Sequence, residues 1–307
     1  MTKVFIDGSA GTTGLRIVER LSQRQDLELM ILPDALRKDT SARADALHSA
    51  DVAFLCLPDD AARESAALAA GSKVKIIDTS TAHRVDPAWV YGMPELAGQA
   101  ERIQASNRIA NPGCHASGFV ALVAPLVQQG LITPETALSC FSLTGYSGGG
   151  KKMIAEYEAA DRSPLLKGPR QYALPQSHKH LKEMVKISGL ETAPVFCPIV
   201  ADFYSGMEVT VSLFAKDLKG SAEDIKKLYD AYYQNGLIRY TADTDPDGML
   251  SAVALAGRDD MTVSVAGNDE RILLISRFDN LGKGASGAAI QNMNILLGLD
   301  QATGLNG

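Results

Sequence analysis

The stretch Lys3-Val-Phe-Ile-Asp7-Gly8-Ser9-Ala-Gly11-Thr12-Thr13-Gly14 decides the fold. Val4, Phe5 and Ile6 make its first part a short strand. Gly8, Gly11 and Gly14 then recur at a spacing of three, and Leu15, Val18 and Leu21, or Ile17 and Leu21, offer one face of a helix. Strand, glycine-rich turn and helix in that order suit an anion. The glycines let the backbone turn tightly and approach a pyrophosphate, whose charge meets the N–H groups of the helix N-terminus. The turn has neither a Gly-x-Gly pair nor the Gly-Lys-Ser/Thr of a triphosphate loop, so it points to a dinucleotide. A glycine-rich turn that binds nothing is the alternative at this point.

Outward from this corner the βα alternation continues. Leu27–Leu32, Asp51–Leu57 and Val74–Asp78 read as strands, and residues 60–70 are alanine-rich and helical. Apolar runs without polar alternation suit parallel strands covered on both faces, so a doubly wound, Rossmann-like α/β domain is expected. Ligands in such a sheet lie beyond the carboxyl ends of the strands. After the second strand, Arg37 and Lys38 are candidate contacts for a ribose 2′-phosphate; a solvated turn is the alternative, and Asp34 could instead accept from a ribose hydroxyl. After the fourth, Ser80 and Thr81 offer hydroxyls and Arg84 offers a fork of donors for phosphate or carboxylate, with His83 in a supporting place.

Asn111-Pro-Gly113-Cys114-His115 ends one segment and opens another, because Phe119, Leu122, Val123 and Leu126 recur at helical spacing. Cys114 therefore falls in a first helical turn, where unpaired amides and the helix dipole favour a thiolate. Cys56, Cys140 and Cys197 sit inside apolar runs, as structural cysteines do, and His115 reads as a cap or wall residue. A thiolate acting on an acyl carbon needs an acid/base, and His178 and His180, followed by Glu183, are the candidates. They share a face if extended and diverge if helical, so which one turns to Cys114 stays open. No third ligand accompanies them, and no metal is expected. The cluster Thr144-Gly-Tyr146-Ser147-Gly-Gly-Gly-Lys151-Lys152 follows an apolar strand at Ala137–Leu143 and precedes a helix near Met153–Ala160. It would cradle the substrate's anionic end, or else be a plain loop.

The chain has 307 residues, 46% hydrophobic and 21% charged, enough for about two domains of ~150 residues. Its formal charge of −6 disfavours a nucleic-acid partner, whose affinity would come from basic charge. No apolar run reaches the ~20 residues of a membrane span. Four scattered cysteines, with no basic, apolar leader, lead us to expect a reducing, cytoplasmic setting.

Taken together, these motifs resemble the N-acetyl-gamma-glutamyl-phosphate reductases of arginine biosynthesis, in their shorter form, within the semialdehyde dehydrogenase superfamily. The resemblance spans nearly the whole chain. It is carried by Gly8–Gly14, Ser80–Arg84, Tyr91-Gly-Met-Pro-Glu95-Leu96, Asn111–Cys114, the histidine segment, and Asp279-Asn280-Leu-Gly-Lys283-Gly284 with the residues through Asn292. It implies NADPH-dependent reduction of an acyl phosphate through a Cys114 thioester, with His178 and His180 catalytic. Substrate contacts are implied at Ser80, Arg84, Asn111, Tyr146, Ser147 and Glu183. Contacts to NADP(H) are implied at Gly8, Ser9, Gly11, Thr12, Thr13, Gly14, Arg37, Lys38, Pro58, Asn280 and Lys283. The partners are then a small acyl-phosphate substrate and phosphate, with no nucleic acid and no membrane, in a homodimer or homotetramer. The family commonly follows its paired histidines with Pro-Glu, where this chain has Leu181-Lys182-Glu183. The same cysteine chemistry would serve an aspartate-semialdehyde dehydrogenase or a reductase of carrier-linked aminoadipyl or glutamyl phosphates; a non-enzymatic dinucleotide-binding regulator is the other class.

Beyond Cys114, Val195–Ala201, Met207–Phe214, Met261–Ala266 and Ile272–Ser276 read as strands and Ala222–Gln234 as a helix, favouring an antiparallel or mixed sheet in an α+β catalytic domain that also builds an oligomer interface. A closing helical pattern contains Ala285, Ala288, Ala289, Asn292, Met293 and Leu296, and the resemblance implies that this helix returns to the first domain. The expected domains are residues 1–113 with 283–307 for NADP binding and 114–282 for catalysis and oligomerisation.

Overall fold

The computed structural model describes residues 1–307, which divide into two compact units: Met1–Pro112 with Ala285–Leu305, and Gly113–Gly284 with Asn306–Gly307. The edges of the units follow hydrogen bonds. Gly113 goes with the second unit because its N–H donates to Glu183, Gly284 because its N–H donates to the Asp279 carbonyl, and Asn306 because its carbonyl accepts the Asp259 N–H while its own N–H donates to the Asp259 carboxylate.

In the first unit, β1 (Thr2–Asp7), α1 (Thr12–Leu21), β2 (Leu27–Met30), α2 (Thr40–Ser49), β3 (Val52–Leu55), α3 (Asp59–Leu68), β4 (Lys75–Asp78), β5 (Val90–Tyr91), α4 (Gln99–Gln104) and β6 (Arg108–Ala110) alternate along the chain. The six strands form one parallel sheet in the order β2-β1-β3-β4-β6-β5. The order runs outward in both directions from the β1/β3 pair, which opens a crevice at the carboxyl ends of those two strands. Successive side chains point to opposite faces of a strand, and both faces are buried here. Val4 and Ile6 pack with Ile17, Phe54, Ile290 and Met293, whereas Phe5 packs with Leu47, Leu55 and Ile76. Two covered faces explain why the strands read as continuous apolar runs. The helix Gly287–Leu296 supplies Ile290 and Met293 to one of these cores, which is why it belongs to this unit.

At the end of β1 the Asp7 carboxylate is buried, and it is paired as buried charge must be. Arg43 from α2 donates to it at 3.1 Å and to Glu64 of α3 at 2.7 Å, and the Ser65 hydroxyl donates to it as well. One buried cation thereby ties two helices to the strand that launches the glycine turn.

In the second unit, α5 (Cys114–Gln128), β7 (Ser139–Gly145), α6 (Gly150–Glu158), β8 (Arg170–Gln171), α7 (His180–Ser188), β9 (Val195–Ala201), β10 (Met207–Phe214), α8 (Ala222–Tyr232), β11 (Ile238–Tyr240), β12 (Met261–Gly267) and β13 (Arg271–Phe278) build a seven-stranded sheet in the order β11-β12-β13-β10-β7-β9-β8. It is mixed: β7·β9 and β11·β12 are parallel and the other pairs antiparallel. Helix α5 packs on β10 and β13 and against α7 and α8, and its apolar circumference is buried almost all round. The register sets Phe141, Val195, Phe214 and Leu273 together on the opposite face, where all four are exposed. No helix of the protein is long and apolar enough to cross a membrane.

Candidate active site

The glycine turn leaves β1 at the crevice. Gly8 has φ +85°, a conformation that favours glycine, and a Cβ there would collide with the Cys56 carbonyl oxygen; a Cβ on Gly14 would collide with the Gly8 carbonyl oxygen. Gly11 is the N-cap of α1 and brings no side-chain cap, so the first amides of the helix, at Thr12, Thr13 and Gly14, point outward without a side-chain acceptor. This cradle without side chains fits a pyrophosphate. Pro58 is the N-cap residue of α3, beyond β3. Arg37 lies in the turn after β2 with its guanidinium 3.2 Å from Asp34, and Lys38 beside it is exposed. Asp34, the expected rival of these cations, is thus the partner of one of them.

Beyond β4 the structure gives the expected substrate groups internal partners. The Ser80 hydroxyl donates to Asp78 at 2.7 Å and accepts from the Ala82 amide. Asp78, fully buried, is also 2.6 Å from His83 Nδ1, whose ring stacks on Trp89 at 4.0 Å. Arg84 donates to the carbonyls of Asn111 at 2.9 Å and Thr79 at 3.0 Å. The Asn111 amide donates to Ala285 and its oxygen accepts from Asn292. Arg84 and Asn111 therefore brace the backbone leading into the Pro-Gly-Cys turn, a role the sequence reading of Arg84 as a phosphate fork did not contain.

In the second unit Cys114 is the first residue of α5, with Gly113 as N-cap and no side-chain cap. Its thiol is partly exposed. The buried Glu183 carboxylate, from the first turn of α7, accepts the Gly113 N–H at 2.8 Å and so holds the turn that carries the thiol. A Cβ on Gly284 would stand 3.0 Å from the Cys114 Cβ, so the 279–284 loop closes directly over the cysteine. Lys283 is buried in that loop. Asn280 donates to Ser147 Oγ at 3.0 Å and accepts from the Gly206 amide at 2.9 Å, which joins the loop to the glycine cluster of Tyr146–Gly149. Asn280, placed with the cofactor contacts on sequence, thus has its side chain engaged with Ser147 of the substrate set. Tyr146 stacks on Tyr157 at 4.8 Å, and its hydroxyl is 3.4 Å from Glu158.

The histidine segment is neither wholly extended nor wholly helical: His178 lies in the turn and His180 begins α7. Their rings are 4.7 Å apart, centroid to centroid. The His115 ring is 5.7 Å from His178 and 5.6 Å from His180, so the residue read as a cap or wall is the third member of an imidazole cluster. The His180 N–H donates to His178 Nδ1 at 3.2 Å, which assigns the His178 proton to Nε2. Burial and the neighbouring Lys179 push the His178 pKa down, and burial with His178 pushes that of His115 down to about 3. Tyr172, which carried no motif, lies beside them with its ring 6.0 Å from His178.

Comparison with known proteins places the chain in a family. Residues 33–105 match the family model described as semialdehyde dehydrogenase, NAD binding domain, and residues 114–280 match semialdehyde dehydrogenase, dimerisation domain. The chain is 45% identical to an N-acetyl-gamma-glutamyl-phosphate reductase 2 from Nostoc sp., over 99% of each chain. It is 43% identical to another from Pseudomonas putida, over 98% of each. Among solved structures, aspartate semialdehyde dehydrogenase II from Vibrio cholerae superposes with a TM-score of 0.73 at 18% identity, covering 96% of this chain and 98% of that one, a likeness of fold.

Proposed function

Because the chain belongs to the N-acetyl-gamma-glutamyl-phosphate reductase family of the semialdehyde dehydrogenases, we propose that it reduces N-acetyl-L-glutamyl 5-phosphate to N-acetyl-L-glutamate 5-semialdehyde, releasing phosphate, in arginine biosynthesis. The observation that carries this reading is Cys114 at the first turn of α5, held through Gly113 by Glu183 next to an imidazole cluster.

Cys114 Sγ attacks the acyl carbon; the S–C bond forms, the C–O bond to phosphate breaks, and the electron pair leaves with the phosphate, giving a thioester. A nicotinamide dinucleotide, held by Gly8–Gly14 with Pro58, supplies the hydride when bound. The resulting thiohemiacetal collapses to the aldehyde and returns the thiolate. With Nδ1 engaged by the His180 amide, His178 presents Nε2–H to the acyl oxygen, and its lowered pKa keeps it neutral near pH 7. The proton-accepting role then falls to His180. Ser147, Tyr146 and Asn280 border the substrate beside Cys114, while Ser80, Arg84 and Asn111 support the approach to the Pro-Gly-Cys turn.

The finer reading is NADP(H) as cofactor, supported by Arg37 and Lys38 after β2. NADP binding is assigned to the first unit, and catalysis and assembly to the second. The occupant of the apolar sheet face of Phe141, Val195, Phe214 and Leu273 is a second copy of the chain, in a homodimer or homotetramer; the matched dimerisation domain contains these residues. Four unpaired cysteines suit a cytoplasmic enzyme.

The test is the reverse assay on purified enzyme with N-acetyl-glutamate 5-semialdehyde, phosphate and NADP or NAD, with aspartate 4-semialdehyde as competitor. Preferred turnover of the acetylated substrate, lost in Cys114→Ser with cofactor binding kept, is the expected result. Preference for aspartate 4-semialdehyde, or near-normal turnover by Cys114→Ser, overturns the reading.

A further inference from the structure

Three side chains of the second unit that the mechanism leaves unused form a continuous string. Ser142 comes from β7 and is fully buried, with its Oγ 2.7 Å from His115 Nδ1. His115 Nε2 is 2.6 Å from the Tyr172 hydroxyl. The Tyr172 backbone N–H donates to the Pro198 carbonyl at 3.0 Å, which fixes the ring's origin against β9.

Such a string has a direction. Burial keeps His115 neutral, so its ring has one N–H and one lone pair. Ser142 decides between the two tautomers. Its hydroxyl lies within hydrogen-bonding distance of His115 Nδ1, and a buried O–H that donates to nothing is costly. The Ser142 proton therefore goes to Nδ1, the His115 proton resides on Nε2 and is donated to the Tyr172 oxygen, and the Tyr172 proton points away from His115. The opposite polarity would strand the Ser142 proton. Burial, and then Cys114, push the Tyr172 ionisation up, so the phenol stays protonated.

We propose that Ser142, His115 and Tyr172 form a directed hydrogen-bond chain that presents the Tyr172 O–H to the oxygen of the substrate's reacting carbonyl, as a second donor beside His178. Tyr172 is then a catalytic residue and His115 a positioning residue. The inference rests on the acyl-phosphate reductase reading. Cys114 acts electrostatically on Tyr172, and the Tyr172 and His178 rings are neighbours, so both donors belong to the cluster on the cysteine's side. Negative charge grows on the acyl oxygen as its carbon becomes tetrahedral, and donors already aimed there lower the barrier. The Tyr172 proton is shared with that oxygen and not transferred, so no bond to the phenol oxygen breaks.

Two measurements test this on the full-length enzyme. Ring-nitrogen NMR of wild type, without substrate, should show His115 protonated at Nε2 and bare at Nδ1 across neutral pH; the opposite tautomer overturns the chain's direction. In the reverse assay, Tyr172→Phe should lower kcat about a hundredfold, with KM and the rate of Cys114 alkylation by iodoacetamide near wild type. His115→Leu should lose the same factor, the double variant no more than either, and His115→Gln, whose amide reaches the Nε2 position, should recover most of it. Wild-type kcat in Tyr172→Phe, or multiplying losses in the double variant, refutes the proposal. If His115→Leu fails to fold, the tautomer and Tyr172→Phe still decide. If wild type ignores N-acetyl-glutamate 5-semialdehyde, the substrate reading fails, and the NMR result still reads the chain separately.

Discussion

Pro125 lies inside α5, the helix that carries Cys114, and has no N–H to give the Ala121 carbonyl one turn back. The Tyr233 hydroxyl takes that place, donating to Ala121 at 2.7 Å from a side chain only 4% exposed. Tyr233→Phe keeps the ring and removes the donor, leaving a buried carbonyl short of a partner at a cost of about 1–3 kcal/mol. Each kcal/mol should lower the melting point by about 2–4 °C in a unit of this size. In a Pro125→Ala background the new amide reaches Ala121 by itself, and the cost of Tyr233→Phe should shrink by about 1 kcal/mol or more. Urea unfolding of the four proteins, followed by far-UV circular dichroism, gives the cycle. Equal costs of Tyr233→Phe in both backgrounds would show that the hydroxyl does not substitute for the missing amide.

Three further outcomes are expected. Paired Arg37→Ala and Lys38→Ala changes should weaken NADPH more than NADH in cofactor titrations, and equal losses would remove these residues from phosphate recognition. Gly11→Ala should fold normally, since a Cβ there meets nothing closer than 3.4 Å, yet it should weaken dinucleotide binding by crowding the phosphate; Gly14→Ala should lose stability as well, because its Cβ strikes the Gly8 carbonyl. His115 is held neutral in the fold with a pKa of about 3, while the unfolded chain takes up the proton near the ordinary 6.5. Its contribution is complete above that pH and is lost as pH falls toward 3, about 2–3 kcal/mol between pH 6 and pH 4. His115→Gln should flatten that part of the urea-stability profile, and an unchanged slope would contradict a buried neutral imidazole.

The architecture was legible where local patterning and packing agree. Val4, Phe5 and Ile6 with the glycines behind them could be read as a strand and phosphate turn because both faces of β1 are covered and Gly8 needs its positive φ. Val195–Ala201 and Met207–Phe214 were readable as strands to the residue, since alternation and β-branching end where the strands end. Helix ends drifted: the helix foreseen at Ala222–Gln234 stops at Tyr232, and the one near Met153 begins at Gly150, because fraying ends are set by caps and neighbours.

What the sequence determined by itself was the chemistry on offer, a thiol at a helix start, two histidines and a glycine corner, because helix starts and turns are written in neighbouring residues. Only the tertiary structure decided which groups meet. Glu183 is 70 residues from Gly113, Tyr172 is 57 from His115, and Ser142 is 27 from it. Nothing local marks those pairings. They exist because β7 and α7 pack where α5 begins, and the same packing engages Arg84, a plausible phosphate ligand on sequence, with the carbonyls of Asn111 and Thr79, since a buried guanidinium bonds to whichever acceptors the fold places around it.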